Sequence, residues 1–427
     1  MSSHPTTTEQ PGGLVYNLAC SLGYTERIEV GRQTQIGLVV IVAAGLILLS
    51  VTRIETEMAV FWLFGLAFGF VLQKSRFCFA SAFRDLFLLR HGRVMKGLLA
   101  GLAVATVGFA LLMSNFVPNP RLGILPPEAH IMPLGLNIAL GGLLFGAGMV
   151  VAGGCVSGAI YRMGEGYVAS WVAFLGIMAG LLTASYTWNW WWRFQISRAP
   201  RLWLPAWFGH GGAVFVTLAG LGLVYLLVLW WESRGGLVIP EFRPDREVGD
   251  TFAAKLNGAL RSIFVDSWTA TRGGLALGTL NVFLYISHHP WGITGEIGRW
   301  SNGFANWLGF GAGKLEGVDT LAGCAIVSLD GSLLNHMLFL VVGMVVGSLI
   351  AALLAHEFKI RIPRSRTRYV QASGGGLVMG YGAGIAMGCT IGGFFSAIPS
   401  LAVNGWVFGV ALAAGAFLGT LIIQRLP

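Results

Sequence analysis

Charged residues are scarce in this 427-residue chain, where Asp, Glu, Lys and Arg together make up 11% of the sequence. Soluble proteins usually carry about 25%. Hydrophobic residues make up 55%, and the mean hydropathy is +0.70. This composition excludes a water-soluble protein, because one core cannot hide so much apolar surface. We therefore expect an all-α polytopic membrane protein, since a bilayer accepts apolar side chains.

Several motifs are also missing from the sequence. It has no phosphate-binding G-x-x-x-x-G-K-[ST] loop, so ATP hydrolysis is not expected. Residues 1–35 form a polar tail without the apolar core of a signal peptide. Three of the five cysteines lie in apolar, Gly-rich segments, where a disulfide framework has no purpose. We expect free thiols, no cofactor and no enzymatic activity.

The basic residues lie in short runs between apolar segments, at residues 84–96, 234–261 and 359–368. This is the positive-inside pattern of membrane proteins, so the net charge of +9 does not indicate nucleic-acid binding. About ten membrane crossings with both termini cytosolic place all three runs on one side. The apolar stretches are 36–52, 58–73, 97–117, 134–154, 167–187, 211–231, 272–287, 333–355, 374–390 and 404–423.

Several of these stretches are shorter than the roughly 20 residues that a spanning helix needs. Such short stretches predict broken or re-entrant helices, which are tolerated where the irregular backbone is buried in protein or lines a cavity.

An internal repeat is the most informative feature. The Gly-rich run from Gly142 to Cys155 matches a run ending at Cys389, 234 positions later, and one ending at Cys78, 77 positions earlier. A fourth copy, 102 positions before the last, has Ser287 in the cysteine position. The predicted units are 58–117 and 134–187 in a first membrane half (36–232), and 272–355 and 374–424 in a second (272–427), joined by a charged cytosolic linker (233–271).

Five crossings separate the first unit from the third, so we expect the two halves to be inverted. Inverted repeats whose broken helices meet near the middle of the membrane are a recurring transporter design.

A thiol at a helix break can face a passage, and the next helix offers free backbone N–H groups to an anion. Thiols are polarisable and only weak donors, which suits a soft sulfur anion that must enter and leave. The residues predicted to bind the substrate are Cys78, Cys155 and Cys389 with Gly154, Gly388, Thr390, Thr294 and Ser287.

Charged residues within apolar units suggest function. The arginines would attract the anion and the carboxylates would orient them, whereas pairing at helix ends near the interface explains the same residues equally well. The residues concerned are Arg76, Arg84, Arg162, Glu165, Glu296 and Arg299.

The cysteine pattern by itself is compatible with several roles. The thiols could fill small gaps in the core, or converge on a soft metal, to which the His288–His289 pair could contribute. The cargo could instead be selenite or another selenium species. In a different class, the protein could be a membrane sulfurtransferase that forms a cysteine persulfide.

Four motifs resemble the YeeE/YedE family of sulfur transport proteins, and similarity extends from about Phe64 to Leu421. They are Arg-Phe-Cys-Phe at 76–79, Gly-Gly-Cys-Val-Ser-Gly at 153–158, Ile-Thr-Gly-Glu at 293–296 and Gly-Cys-Thr-Ile-Gly-Gly at 388–393. The chain looks closer to the longer YedE type. Cys20 and Cys324 lie outside the motifs.

The resemblance implies thiosulfate uptake across the bacterial inner membrane by an hourglass-shaped bundle with short broken helices. It also implies that Cys78, Cys155 and Cys389 contact the anion through S–H hydrogen bonds. A small TusA-like sulfurtransferase on the cytosolic side is the implied partner, and YedE-type members carry an association with selenium metabolism.

Overall fold

The computed structural model describes residues 31–235, 261–321 and 334–425. Within these ranges the protein is helical, and pairing between extended segments is limited to two isolated β-bridges. A seven-residue π-helical segment, Thr390–Ser396, follows Cys389. The α-helices are α1 (Arg32–Ile54), α2 (Thr56–Ser75), α3 (Phe79–Leu89), α4 (Arg93–Phe116), α5 (Leu136–Ala152), α6 (Val156–Gly164), α7 (Val168–Phe194), α8 (Pro205–Ser233), α9 (Ala270–Ser287), α10 (Thr294–Trp307), α11 (His336–Leu354), α12 (Arg366–Ile385) and α13 (Val403–Arg425).

The all-α polytopic membrane fold is confirmed. In the described part of the chain, eight helical stretches are long and apolar enough to span a membrane, or nine if α12 and the π-helical segment count as one span bent by 49°. Ten crossings were expected. The stretch at 272–287 is the one that falls short, because α9 contains Arg272 and Asn281, which lower its hydropathy.

The contacts between helices define their directions. At one end of α2, Ser75 packs against Gly273 near the start of α9, and at its other end Glu57 contacts His288 just after α9. These two helices are therefore antiparallel. α5 and α12 are antiparallel as well, because Gly141 packs against Ala386 and Ala152 packs against Gly375. The helices leading to Cys78 and Cys155 thus run opposite to those leading to Ser287 and Cys389, as inverted halves require.

The breaks at Cys155 and Cys389 lie inside the protein. Ala152, the last residue of α5, packs against Gly375, which is nine residues into α12 and so roughly 13 Å from its start. At the other end, α12 stops level with Gly141, five residues into α5. Neither helix reaches the surface toward which it runs, so the irregular backbone after each is covered by protein or lines a cavity.

Glycines set the closest helix contacts. A Cβ on Gly274 of α9 would collide with the carbonyl of Gly97 on α4, and a Cβ on Gly101 would collide with that of Gly274. The G-x-x-x-G spacing therefore brings these two backbones together along parallel helices, as small residues do in membrane bundles.

Part of the predicted organisation lies outside the described residues: most of the tail 1–35 with Cys20, most of the linker 233–271, and Cys324. The division into membrane halves at 36–232 and 272–427 stays a prediction.

We expect Gly274→Ala to destabilise the folded protein by about 1–3 kcal/mol or more, because the added methyl group meets backbone that cannot move aside. Thermal unfolding in detergent, followed by size-exclusion fluorescence, measures the effect. Gly222→Ala on α8 is the matched control, since nothing lies within 4 Å of its Cβ position. Equal unfolding temperatures for the two variants would contradict the close-packing account.

Candidate functional site

The three cysteine breaks share one backbone conformation. The residue two positions before each cysteine has a left-handed conformation: φ is 48° at Arg76, 81° at Gly153 and 56° at Met387. Such values are uncommon for residues other than glycine. Each cysteine is extended and caps the helix that follows it. The equivalence predicted from glycine and cysteine register therefore extends to the path of the chain.

The thiols of Cys155 and Cys389 take part in this capping. Cys155 Sγ accepts a hydrogen bond from the Gly158 N–H at 3.3 Å, and Cys389 Sγ accepts one from the Ile391 N–H at 3.4 Å. A side-chain acceptor at this position satisfies N–H groups that a helix start leaves without a partner. Sulfur is a weak acceptor, so these N–H groups remain available to a stronger one such as an oxyanion.

Cys78 and Cys155 lie together, although 77 residues separate them in the chain. Their side chains are neighbours in the core, and both are completely buried. A Cβ placed on Gly158 would lie 2.8 Å from Cys78 Sγ and 3.4 Å from Cys155 Sγ. Ser157 Oγ is 3.3 Å from Cys155 Sγ. The bare backbone of Gly158 thus faces a pair of thiols.

Cys389 belongs to the same buried cluster but approaches it from the other half. The Phe79 ring, next to Cys78, packs edge-on against Phe395 in the π-helical segment, with centroids 5.4 Å apart. Thr390 is completely buried, and its hydroxyl has no hydrogen-bond partner among the described residues. A thiol and an unpaired hydroxyl therefore stand side by side at the start of this segment.

His130 is close to the same break. A Cβ placed on Gly388 would lie 3.1 Å from His130 Nε2. Burial lowers the pKa of His130 to about 3, so its imidazole is neutral at physiological pH. The Cys389 end of the site is consequently polar but uncharged.

A cavity of about 270 Å³ opens beside the Cys78–Cys155 pair. Gly154 and Gly158 form its inner wall, and three guanidinium groups surround it. Arginine binds oxyanions through several planar donors. The polar and glycine residues of the lining are Gly153, Gly154, Gly158, Arg162, Tyr167, Ser170, Arg361 and Arg368.

A second cavity of about 180 Å³ adjoins the first and shares Arg162, Tyr167 and Arg361 with it. Arg162 stands between the two cavities and is held by hydrogen bonds to Gly153 O at 2.6 Å and the Tyr161 hydroxyl at 3.2 Å. The side chain is therefore a fixed positive charge. We call the side of the protein that carries both cavities the basic face.

Glu165 lies in the second cavity, and 9% of it is exposed. Burial raises the pKa of its carboxyl group to about 6, although Arg162 and Arg361 favour the charged form. The carboxylate thus offsets part of the positive charge at neutral pH and loses that effect in mild acid.

Some of the other predicted site residues lie at the cavities, and others lie away from them. Arg76 lines the second cavity and pairs with Glu357 at 2.6 Å. Ser287 is exposed, and its hydroxyl donates to Phe283 O, so the structure does not bring it to the thiols. Thr294 is buried at the start of α10.

Arg84 pairs with the neighbouring Asp85 at 2.8 Å and lines neither cavity. Glu296 and Arg299 form a buried pair, in which two guanidinium nitrogens bind the carboxylate at 2.7 and 2.9 Å. Asn335, just before α11, also donates to Glu296. These contacts fit intramolecular pairing, the alternative left open by the sequence, better than attraction of an anion.

Sequence reasoning missed Arg361, Arg368 and His130 as site residues. Arg361 and Arg368 belong to the basic run 359–368, which indicates mainly the cytosolic side of the membrane. Arg368 reaches the carbonyl oxygens of Val151 and Ala152 at the end of α5, so it arrives at the cavity from a distant part of the chain. No local pattern could have shown this.

Fold and site together define a class of protein. A membrane-spanning helical bundle, with helices broken in its interior and an arginine-lined cavity beside buried thiols, has the construction of an anion transporter. Known proteins agree with this class. The sulphur-transport family matches residues 74–418, and the chain belongs to this YeeE/YedE family.

Two relatives match nearly the whole chain. The thiosulfate transporter TsuA of Spirochaeta thermophila is 32% identical over 375 residues, which is 85% of this chain and 98% of that protein. The thiosulfate transporter TsuA of Escherichia coli is 27% identical over 85% of this chain and 94% of its own length. The probable transporter YedE of Salmonella typhimurium is 33% identical over 48% of each chain.

We expect anion affinity at the basic face to rise as the pH falls from about 7.5 to 5.5. Protonation of Glu165, whose pKa is about 6, removes a negative charge from among the arginines and makes the cavity more positive. Calorimetric titration with thiosulfate, which stays a dianion in this range, should show a gain of roughly five- to tenfold.

Glu165→Gln should bind at pH 7.5 as tightly as the unaltered protein does at pH 5.5. Glu232→Gln is the matched control, because Glu232 pairs with Lys96 and lines neither cavity. If the affinity of Glu165→Gln for thiosulfate still depended on pH, a group other than Glu165 would be responsible for that dependence.

Proposed function

We propose that this protein carries thiosulfate, or a closely related sulfur oxyanion, into the bacterial cell, and that Cys78, Cys155 and Cys389 contact the anion on its way. The single observation that carries the proposal is the cavity beside the Cys78–Cys155 pair, in which arginine side chains and the bare backbone of Gly158 meet. Two relatives named thiosulfate transporters, matched over 85% of the chain, support the substrate class.

The proposed route passes sites that differ in their charge and in the groups they offer to the anion. Near Cys389, the anion meets a thiol, the hydroxyl of Thr390 and weakly capped N–H groups in uncharged surroundings. At the Cys78–Cys155 pair it meets two thiols, and beyond them the arginines of the basic face. Neutral sulfur donors hold an anion weakly enough to release it, which conduction requires.

The route is closed in this structure, since all three thiols are completely buried. Passage therefore needs the side chains at the breaks to move apart, and the breaks are the places where the backbone is not held in continuous helix.

We further propose that the basic face is cytosolic, in the bacterial inner membrane. The basic residues of run 359–368 lie there, as the positive-inside rule requires. The start of α1 is at this face, because Gln33 bonds to Phe358 O, and α13 runs parallel to α5 toward it, with Gly419 packed on Ala147. Both ends of the helical bundle thus fit cytosolic termini. A TusA-like sulfurtransferase would receive the anion at this face.

We expect Cys155→Ala and Cys389→Ala each to reduce thiosulfate uptake by about tenfold or more, because each removes a hydrogen bond to a charged group. Uptake of labelled thiosulfate and thiosulfate-dependent growth measure the effect, with membrane levels checked by immunoblot. Cys20→Ala and Cys324→Ala are matched controls, since neither cysteine shares the repeat register. Normal uptake by both test variants would rule out the thiol route.

Selenite or another selenium species is the alternative cargo, because an oxyanion of similar charge and softness fits the same groups. In cells that express only this chain, excess unlabelled thiosulfate should suppress labelled thiosulfate uptake much more strongly than equal selenite or sulfate. Stronger suppression by selenite would reverse the assignment.

A membrane sulfurtransferase requires an exposed, activated thiolate, which the complete burial of Cys78, Cys155 and Cys389 does not provide. A persulfide adduct found by mass spectrometry on one of them after thiosulfate exposure would favour that class instead.

A further inference from the structure

Three histidines meet on the side of the protein opposite the basic face. His288 and His289 directly follow α9, and His336 is the first residue of α11. One ring nitrogen of each lies within 4.8 Å of a ring nitrogen of the other two. The cluster is half-buried, which leaves it open to a small ion.

Hydrogen bonds already orient two of the rings. His288 Nε2 is 3.2 Å from a carboxylate oxygen of Glu57, in the first turn of α2. His289 Nδ1 is 2.9 Å from the carbonyl oxygen of Pro290. Each ring thus has an acceptor for the N–H of one nitrogen, which leaves Nδ1 of His288 and Nε2 of His289 as nitrogens with a lone pair. Histidines that bind metals usually donate their other ring N–H to a carboxylate or a backbone carbonyl in this way.

The inner nitrogen of His288 also favours a metal site. Its Nδ1 is buried and has no hydrogen-bond partner among the described residues. Buried polar atoms are normally paired, so an unpaired one calls for a physical reason. The buried ring of Phe61 contacts all three imidazoles, with centroid distances between 4.6 and 5.7 Å, and forms an apolar floor beneath them.

We propose that His288, His289 and His336 bind a divalent transition metal ion, with Zn²⁺ as the best fit and Glu57 as the outer carboxylate that orients His288. Zinc accepts three imidazoles and a carboxylate or water in tetrahedral geometry, with Zn–N distances of about 2.0–2.1 Å. That geometry places the nitrogens about 3.3 Å apart. The ligand atoms, now within 4.8 Å of one another, would have to move closer by side-chain rotation to reach that spacing.

The bound ion would fix the connection between α9 and α10. Trp291, two residues after His289, stacks on Phe68 of α2 with ring centroids 4.0 Å apart. The Trp291 carbonyl accepts a hydrogen bond from Ser396, in the segment that follows Cys389, at 2.8 Å. The histidines are thus linked to the segment after Cys389 through Trp291 and its hydrogen bond with Ser396. Metal binding should therefore slow movement of that segment. This consequence rests on the proposed function, whereas the metal site does not.

The experiment uses the full chain, purified in detergent without a histidine tag, and Zn²⁺ or Co²⁺ alone as the probe. We expect one tightly bound zinc per chain by elemental analysis and competition titration. His336→Ala and His288→Ala should each weaken binding by about 100-fold, and Glu57→Gln by about tenfold. His356→Ala is the matched control: this histidine lies near Thr34, outside the cluster, and should leave affinity unchanged.

Cobalt distinguishes the cluster from the cysteines, because imidazole and water ligands give tetrahedral d–d bands without the thiolate-to-cobalt charge-transfer band. Unchanged affinity in His288→Ala and His336→Ala, a thiolate band, or no saturable binding by the unaltered protein would each overturn the proposal. In vesicles, zinc should slow thiosulfate uptake in the unaltered protein but not in His336→Ala. Loss of uptake in Cys155→Ala with zinc binding intact would support the transport proposal independently of the metal site. Normal uptake in that variant would count against the transport proposal and leave the metal site standing.

Discussion

A helix that stops inside a bilayer leaves backbone N–H and C=O groups that lipid cannot satisfy, and the structure depends on how its broken helices meet this constraint. Two features of the structure keep these groups away from lipid or satisfy them. Glycine contacts bring neighbouring backbones close enough to exclude lipid, as between Gly97 and Gly274. At the breaks, a left-handed residue turns the chain and a cysteine occupies the cap of the next helix, through its sulfur at Cys155 and Cys389. Cysteine suits this place because it fits a buried site and binds the N–H groups only loosely.

The sequence predicted the parts of this arrangement that depend on local pattern. Apolar length predicted the spans, and three cysteines in register with glycines predicted that Cys78, Cys155 and Cys389 end equivalent helices. The unit at 272–355 shows where register is insufficient. Ser287 occupies the cysteine position, yet α9 leads into His288–Pro290, and the next helix begins only at Thr294. The longer connection turns Ser287 outward, and Trp291 fills the interior instead.

The charged part of the site was harder to predict because charge alone does not report distance. Arg162 and Glu165 were identified from their position after Cys155, and both line the cavities. The sequence offered the same reason to propose Arg84, Glu296 and Arg299 as site residues, but each forms an ion pair with a residue close to it in the chain. Arg361 and Arg368 reach the cavity only because α12 runs antiparallel to α5. Only the packing of distant helices decides which charges remain available to a ligand.

The two sides of the membrane core are not chemically equal, although inverted halves could have made them so. On one side, two neighbouring thiols are backed by guanidinium groups, whereas on the other a single thiol lies beside Thr390 and a neutral His130. An anion inside the protein would therefore spend most of its residence time near the basic face. Such an occupancy gradient cannot drive net flux, so accumulation would depend on removal of the anion once it has crossed.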